Sequence, residues 1–188
     1  MDKGHRVITQ KMCQTGCEGI AEDIITHRQL MGTGILDEDN KGKTCAYTFK
    51  YPASPHLAAA MEGATIDINK IDELTMELEK ENDIVLLEGA GGLMVPITED
   101  YTSLEFLKDR NYPVILVTSS KLGSINHTLL SLEVMKAHGL KLEKLVFNHY
   151  PCNSEVIFQD SRRILKEYLK KYFPEAEFKE LSELSLDN

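Results

Sequence analysis

Asp83-Ile-Val-Leu-Leu-Glu-Gly-Ala-Gly-Gly-Leu-Met-Val-Pro96 runs from four consecutive apolar residues into one carboxylate, Glu88, and then into a turn with almost no side chains. A bounded apolar run this short reads as a buried strand of a parallel sheet rather than a helix. Its end admits two readings. Small residues let the chain turn sharply, which is packing. A carboxylate at a sheet's carboxyl edge beside bare backbone can also hold a metal ion and anionic oxygens, which is chemistry.

Working outward, Arg6-Val-Ile-Thr-Gln-Lys11, Pro113 to Thr118 and Lys144 to Asn148 are further short apolar runs with strand character. Between them lie segments of helical period. Ile68, Ile71, Leu74 and Leu78 form one stripe, and Ile125, Leu129, Leu132 and Met135 another that closes at Gly139. Ser54-Pro55 suits the start of a helix over His56 to Glu62, and Thr102-Ser-Leu-Glu105 has capping-box spacing. Strands alternating with helices predict an α/β fold: a mostly parallel sheet with helices on both faces, in a single domain over residues 1–188. Ligands of such folds bind outside the carboxyl ends of the strands. Attention therefore falls on Lys11 to Gly16, Glu88 to Gly92, Ser119 to Asn126 and Asn148 to Pro151. The acidic stretch from Pro174 onward is weakly patterned.

The composition is globular, with 188 residues, 42% hydrophobic and 27% charged. A net charge of −9 argues against nonspecific nucleic-acid binding, which needs clustered Lys and Arg. No apolar run approaches the roughly 20 residues that span a bilayer. The four cysteines, Cys13, Cys17, Cys45 and Cys152, lack C-x-x-C spacing and read as free thiols of a reducing cytosol. Lys166-Glu-Tyr-Leu-Lys-Lys171, the most basic segment, reads as a solvated helix face.

Each strand end carries a candidate. Glu88 reads as a turn carboxylate, a Mg²⁺ ligand or a general base; Mg²⁺ takes one or two carboxylates and completes its octahedron with water and phosphate oxygens. Gly89, Ala90, Gly91 and Gly92 offer backbone N–H groups to an anion. Lys11 is a solvated lysine or a point charge for phosphate or carboxylate, with the Thr15 hydroxyl beside it. Asp23, in the helical Glu22-Asp-Ile-Ile-Thr-His27, is a polar-face carboxylate or a second metal ligand. Lys121-Leu-Gly-Ser-Ile-Asn-His127 leads into a helix whose free N–H groups suit an anion, or it is merely a capped entry. No zinc spacing and no G-x-S-x-G elbow is present.

Taken in order, Lys11…Gln14-Thr-Gly16, Asp23, Ser54-Pro-His56, Glu88-Gly-Ala-Gly-Gly92 with Pro96, Lys121-Leu-Gly-Ser-Ile-Asn-His127 and Asn148 resemble the ATP-dependent dethiobiotin synthetases. The likeness covers about the first 150 residues. It implies a P-loop NTPase-like fold and a cytoplasmic homodimer. The implied activity closes the ureido ring of dethiobiotin from 7,8-diaminopelargonate, CO₂ or bicarbonate, and ATP with Mg²⁺. The route passes through a carbamate and a carbamic–phosphoric anhydride. The resemblance makes Glu88 and Asp23 the metal ligands and Lys11 the catalytic charge. It gives Thr15, Ser54, Lys121, Gly123, Ser124, Ile125 and Asn126 to the substrate. Asp23, Glu88, Gly89, Ala90, Gly91, Gly92 and Asn148 fall to the nucleotide.

One departure stands out. That family opens with a strand, a Walker-type loop ending in Gly-Lys-Thr, and a helix, and no stretch of this sequence matches G-x-x-x-x-G-K-[ST]. Gly42-Lys43-Thr44 has the triplet, but it follows a helical segment and acidic Asp37-Glu-Asp39, so it reads as a surface loop. Met1 to Arg6 then corresponds to the end of the family's first helix, and the sheet is expected to lack its first βα unit. An incomplete record of an enzyme and a shortened binding or dimerisation module are the alternatives, with a ParA/MinD-like regulatory ATPase as a third.

Overall fold

The computed structural model describes residues 4–150 and 154–182. Met1 to Lys3, Pro151, Cys152 and the end of the acidic tail lie outside the described residues. The chain forms two compact units, Met1–Ser103 and Leu104–Asn188.

In the first unit the elements are β1 (Val7–Lys11), β2 (Gln14–Thr15), α1 (Glu22–Met31), α2 (Asp37–Asn40), β3 (Thr48–Phe49), α3 (Pro55–Met61), α4 (Ile68–Glu79), β4 (Ile84–Glu88), β5 (Pro96–Thr98) and β6 (Tyr101–Thr102). β1 pairs in parallel with β4, in a register running from Val7 opposite Ile84 to Lys11 opposite Glu88. β2 and β3 are a second parallel pair, and β5 and β6 an antiparallel one. The apolar stripe of α4 packs as its spacing predicts, with Ile71, Thr75 and Leu78 buried. Asp67 caps this helix by accepting from the Asn69 N–H at 2.9 Å. The Thr75 hydroxyl donates to Oε1 of fully buried Gln10 at 2.8 Å, which satisfies a polar group placed in the core.

The second unit contains α5 (Ser103–Arg110, beginning at the boundary), β7 (Val114–Ser119), α6 (Ser124–Ala137), β8 (Leu142–Asn148), α7 (Glu155–Tyr172) and β9 (Glu177–Leu181). β7, β8 and β9 form one parallel sheet in that order. Leu132, Met135, Leu145, Phe147 and Leu165 make its buried centre. Gly139 closes α6 in the left-handed region at φ 68°, where a side chain would be strained.

Parallel pairing between strands separated by helices is the α/β class expected from the sequence. Four details correct the sequence reading. The strand over Ile84–Glu88 is not buried: Ile84 and Leu86 are 42% and 44% exposed, and with Glu88 they alternate with half-buried Val85 and Leu87, so one face of β4 is left uncovered by the described residues. β7 is alike, with Ile115 and Val117 exposed. The Gly42-Lys43-Thr44 segment is not simply a surface loop, since Thr44 is 1% exposed and its hydroxyl donates to buried Asp39. The weakly patterned C-terminal stretch contains β9, an edge strand whose alternation of exposed and half-buried residues is diluted by charge.

The basic face of α7 is not wholly solvated either. Arg162 donates to both oxygens of Glu180 on β9 at 2.8 and 2.7 Å, and Lys166 Nζ lies 3.0 Å from the same carboxylate. Hydrogen bonds from Arg162 pull the Glu180 carboxyl down to about 2; burial opposes the shift and Lys166 reinforces it. The folded pKa is depressed, so the stabilisation is complete above the ordinary 4.5 and is lost as pH falls through about 2. Glu180→Gln should flatten the fall in stability across that window; an acid-melting curve identical to wild type would remove Glu180 from the balance.

Candidate active site

Lys11 is the last residue of β1 and Glu88 the last of β4, and the parallel register sets them directly opposite each other. Asp23 reaches the same place from the first turn of α1, where an acidic residue also complements the helix dipole. The result is a three-membered charge cluster. Lys11 Nζ lies 2.5 Å from Asp23 Oδ2 and 3.1 Å from Glu88 Oε1. The lysine side chain is 6% exposed, whereas the two carboxylates are 42% and 49% exposed, so the ammonium sits beneath acids that face outward. Burial alone would lower the Lys11 pKa, but the bonds and charges of Asp23 and Glu88 outweigh it and hold the group above the ordinary lysine value.

His27 is a member that sequence reasoning missed. Its Nε2 lies 3.2 Å from Glu88 Oε2, and its Nδ1 lies 3.0 Å from Thr9 Oγ1. A signal existed: His27 is four residues after Asp23, hence on the same face of α1.

Beside the cluster is a pocket of about 320 Å³ whose wall includes Lys11, Gln14, Thr15, Ser54, Ala90 and Gly91. Ser54 occupies the N-cap position of α3 without making a side-chain cap bond, which leaves its hydroxyl on the pocket wall. Gly91 is required by the turn: it adopts φ 91°, and an added Cβ would come within 3.0 Å of Val95 Cγ2. Gly89 and Gly92 would meet nothing within 4 Å, so they leave that side of the turn open. Cys13 also lines the pocket, and burial pushes its thiol up to about 12, with Cys45 adding to the shift, so it stays protonated. Cys13, Cys17 and Cys45 are free thiols.

The remaining expected residues belong to the second unit. Gly123 is the left-handed N-cap of α6, ahead of Ser124, Ile125 and Asn126, and Lys121 is exposed just before it. Ser119 and Ser124 hydroxyls lie 3.3 Å apart. Asn148 ends β8, and its Oδ1 accepts the Tyr150 N–H at 3.0 Å, a turn-forming bond that fixes the amide. Ser119, Ser124, His127 and Asn148 share a pocket of about 380 Å³ in this unit.

Asp23 and Glu88 could offer two carboxylates to a hard divalent cation. Two carboxylate oxygens already converge on one cationic centre, the Lys11 ammonium. Among the described residues no group of three or more His, Cys, Asp and Glu is placed to hold a metal. Two carboxylates with other positions left to water and phosphate is the ordinary arrangement for Mg²⁺.

An AAA domain family matches residues 13–174. The ATP-dependent dethiobiotin synthetase BioD 2 of Pasteurella multocida is 50% identical over 186 residues, 99% of this chain and 87% of that protein. The BioD 2 protein of Haemophilus ducreyi is 50% identical over 95% of this chain and 84% of its own length. The BioD protein of Chlorobaculum tepidum is 48% identical over 93% of this chain and 74% of its own. With identities this high over nearly the whole sequence, the chain belongs to the ATP-dependent dethiobiotin synthetase family.

Proposed function

We propose that this protein is a cytoplasmic, homodimeric ligase of biotin biosynthesis that closes the ureido ring of dethiobiotin from 7,8-diaminopelargonate, CO₂ and ATP. The observation that carries the reading is the convergence of Lys11, Asp23 and Glu88 beside a pocket walled by Thr15, Ser54 and Gly91. Membership of the dethiobiotin synthetase family supports the ATP-dependent reaction.

In this reading Thr15 and Ser54 hydroxyls orient the diamine. One amine captures CO₂ as a carbamate and loses a proton. A carbamate oxygen then attacks the γ-phosphorus of ATP, expelling ADP and leaving a carbamic–phosphoric anhydride. The second amine attacks the anhydride carbon, and phosphate departs as the ring closes. Lys11 holds a permanent positive charge beside the transferring phosphoryl group, where negative charge grows. Asp23 and Glu88 would hold Mg²⁺, which supplies charge neutralisation on the phosphate oxygens. The turn of Gly89 to Gly92 lets backbone N–H groups approach the same oxygens. Asn148 would read the adenine edge, and the helix entry at Lys121 and Gly123 to Asn126 would receive the distal carboxylate.

Glu88→Gln tests this directly. It keeps the shape and one acceptor oxygen but removes the charge, so turnover should fall by about 10²-fold or more with an unchanged melting temperature. Near-normal activity would take Glu88 out of the metal site. Phosphate release from Mg-ATP that depends on both the diamine and bicarbonate is the expected activity, and release that needs neither would overturn the reading.

A further inference from the structure

His27 meets a different partner at each ring nitrogen. Nε2 lies 3.2 Å from Glu88 Oε2, and Nδ1 lies 3.0 Å from Thr9 Oγ1. A carboxylate oxygen only accepts, and a bare Nε2 would set two acceptors against each other, so Nε2 carries a proton. The Thr9 end agrees. Arg28 Nη1 donates to Thr9 Oγ1 at 2.9 Å, and an arginine can only donate. Among the described residues the hydroxyl has one other side-chain partner, His27 Nδ1, so its own proton points there and Nδ1 accepts it. Arg28 is in turn gripped by both oxygens of Asp39. A continuous run of polar contacts thus joins the buried Arg28–Asp39 pair, through Thr9 and His27, to the half-exposed carboxylate of Glu88. The terminal torsion of a glutamate is soft, and Glu88 has solvent around it in which to swing. Lys11 at Oε1 and His27 at Oε2 engage both of its oxygens.

We propose that His27, set by Thr9 as its Nε2–H tautomer, is a positioning residue that holds the Glu88 carboxylate in place for phosphoryl transfer. The inference rests on the ligase reading above, in which Glu88 is a Mg²⁺ ligand, and adds to it a residue that acts only through Glu88. Carboxylates that ligate metals are themselves held by neighbouring donors, and losing such a donor weakens metal use about 10- to 100-fold. Anchorage matters here because Gly89 follows Glu88 and an added Cβ on that glycine would meet nothing within 4 Å, so the turn offers no wall on that side. His27 supplies the restraint from α1, the helix that also carries Asp23.

Two measurements on the full chain test this. A long-range proton–nitrogen correlation spectrum, taken in alkaline solution without Mg²⁺ or substrate, reads the imidazole directly, and the signal that vanishes in His27→Gln identifies the ring. The proton should sit on Nε2. In steady-state ring closure, His27→Leu should raise the Mg²⁺ concentration for half-maximal rate about tenfold and leave the diamine KM unchanged. His27→Gln, whose amide N–H reaches as far from the backbone as Nε2, should recover most of that loss. A residue that merely supports α1 would not act selectively on Mg²⁺ or be rescued by an N–H. An Nδ1–H ring, an unchanged Mg²⁺ dependence in His27→Leu, or a loss that His27→Gln does not recover overturns the His27 assignment alone. If wild type releases no phosphate that depends on diamine and bicarbonate, the ligase reading itself falls, and this assignment with it, whichever tautomer is seen. Should His27→Leu not fold by circular dichroism, the spectrum and His27→Gln decide. An Nε2–H ring with wild-type Mg²⁺ dependence in His27→Gln then supports the proposal, and an Nδ1–H ring or a tenfold shift in that variant overturns it.

Discussion

Lys11→Met should lower turnover by about 10²- to 10³-fold, the usual loss when a preorganised charge is removed from beside a developing one. The Lys11 side chain is buried and its ammonium lies between two carboxylates, so it keeps its charge and its position before substrate arrives. Methionine fills nearly the same space without charge. The fold should tolerate it, because Asp23 and Glu88 are both about half exposed and water can solvate them once the lysine is gone. The melting temperature should therefore move little while kcat collapses. A kcat within tenfold of wild type would show that Lys11 only neutralises its acidic neighbours. Lys11→Arg is not expected to rescue, since a wide planar guanidinium cannot replace a compact point charge in this gap.

The second large effect lies in stability. Asp39→Ala should destabilise the protein by about 3–5 kcal/mol, the range for breaking a buried ion pair by removing one partner. Arg28 is 1% exposed and Asp39 4%. Arg28 grips the carboxylate through Nε and Nη2 at 2.9 and 2.8 Å, and its Nη1 reaches Thr9 Oγ1 at 2.9 Å. The carboxylate also accepts from the Leu36 N–H at 2.8 Å and the Thr44 hydroxyl at 2.7 Å. Burial would raise the Asp39 pKa, but Arg28, Leu36 and Thr44 outweigh it and hold the acid below its ordinary value. Alanine would leave a buried guanidinium uncompensated. Asp39→Asn, which keeps acceptor and shape, should fall between. Urea titration measures both, and a loss under about 1 kcal/mol for Asp39→Ala would mean that water enters and solvates Arg28. Because Arg28 ties α1 to Thr9 of β1, the same variant should loosen the approach of Asp23 to Lys11.

The two variants separate the chemistry of the site from its support. Lys11 faces the pocket and is expected to govern rate. Asp39 does not line the pocket and is expected to govern whether the wall forms.

Much of this was open to inspection in the sequence. Short apolar runs ending in Lys11 and Glu88, with helical periods between them, fixed the α/β class, because side-chain period follows backbone geometry residue by residue. The same logic drew attention to the strand ends at Lys11 and Glu88, whereas Asp23, inside a helical segment, became a metal-ligand candidate through the family resemblance. The buried Arg28–Asp39 pair was hidden, since Asp37-Glu-Asp39 looks like any solvated acidic turn and only packing shows that one of its carboxylates points inward. Likewise, Ile84 and Leu86 spell a buried strand, yet their exposure depends on what packs over their face of β4. Local pattern, then, determined which elements form and which residues stand at their ends. Tertiary structure alone decided that Lys11 meets Glu88 across a parallel register, that Asp23 and His27 arrive from α1, and that the Thr9 hydroxyl links Arg28 to His27, because each of these depends on distances between segments far apart in the chain.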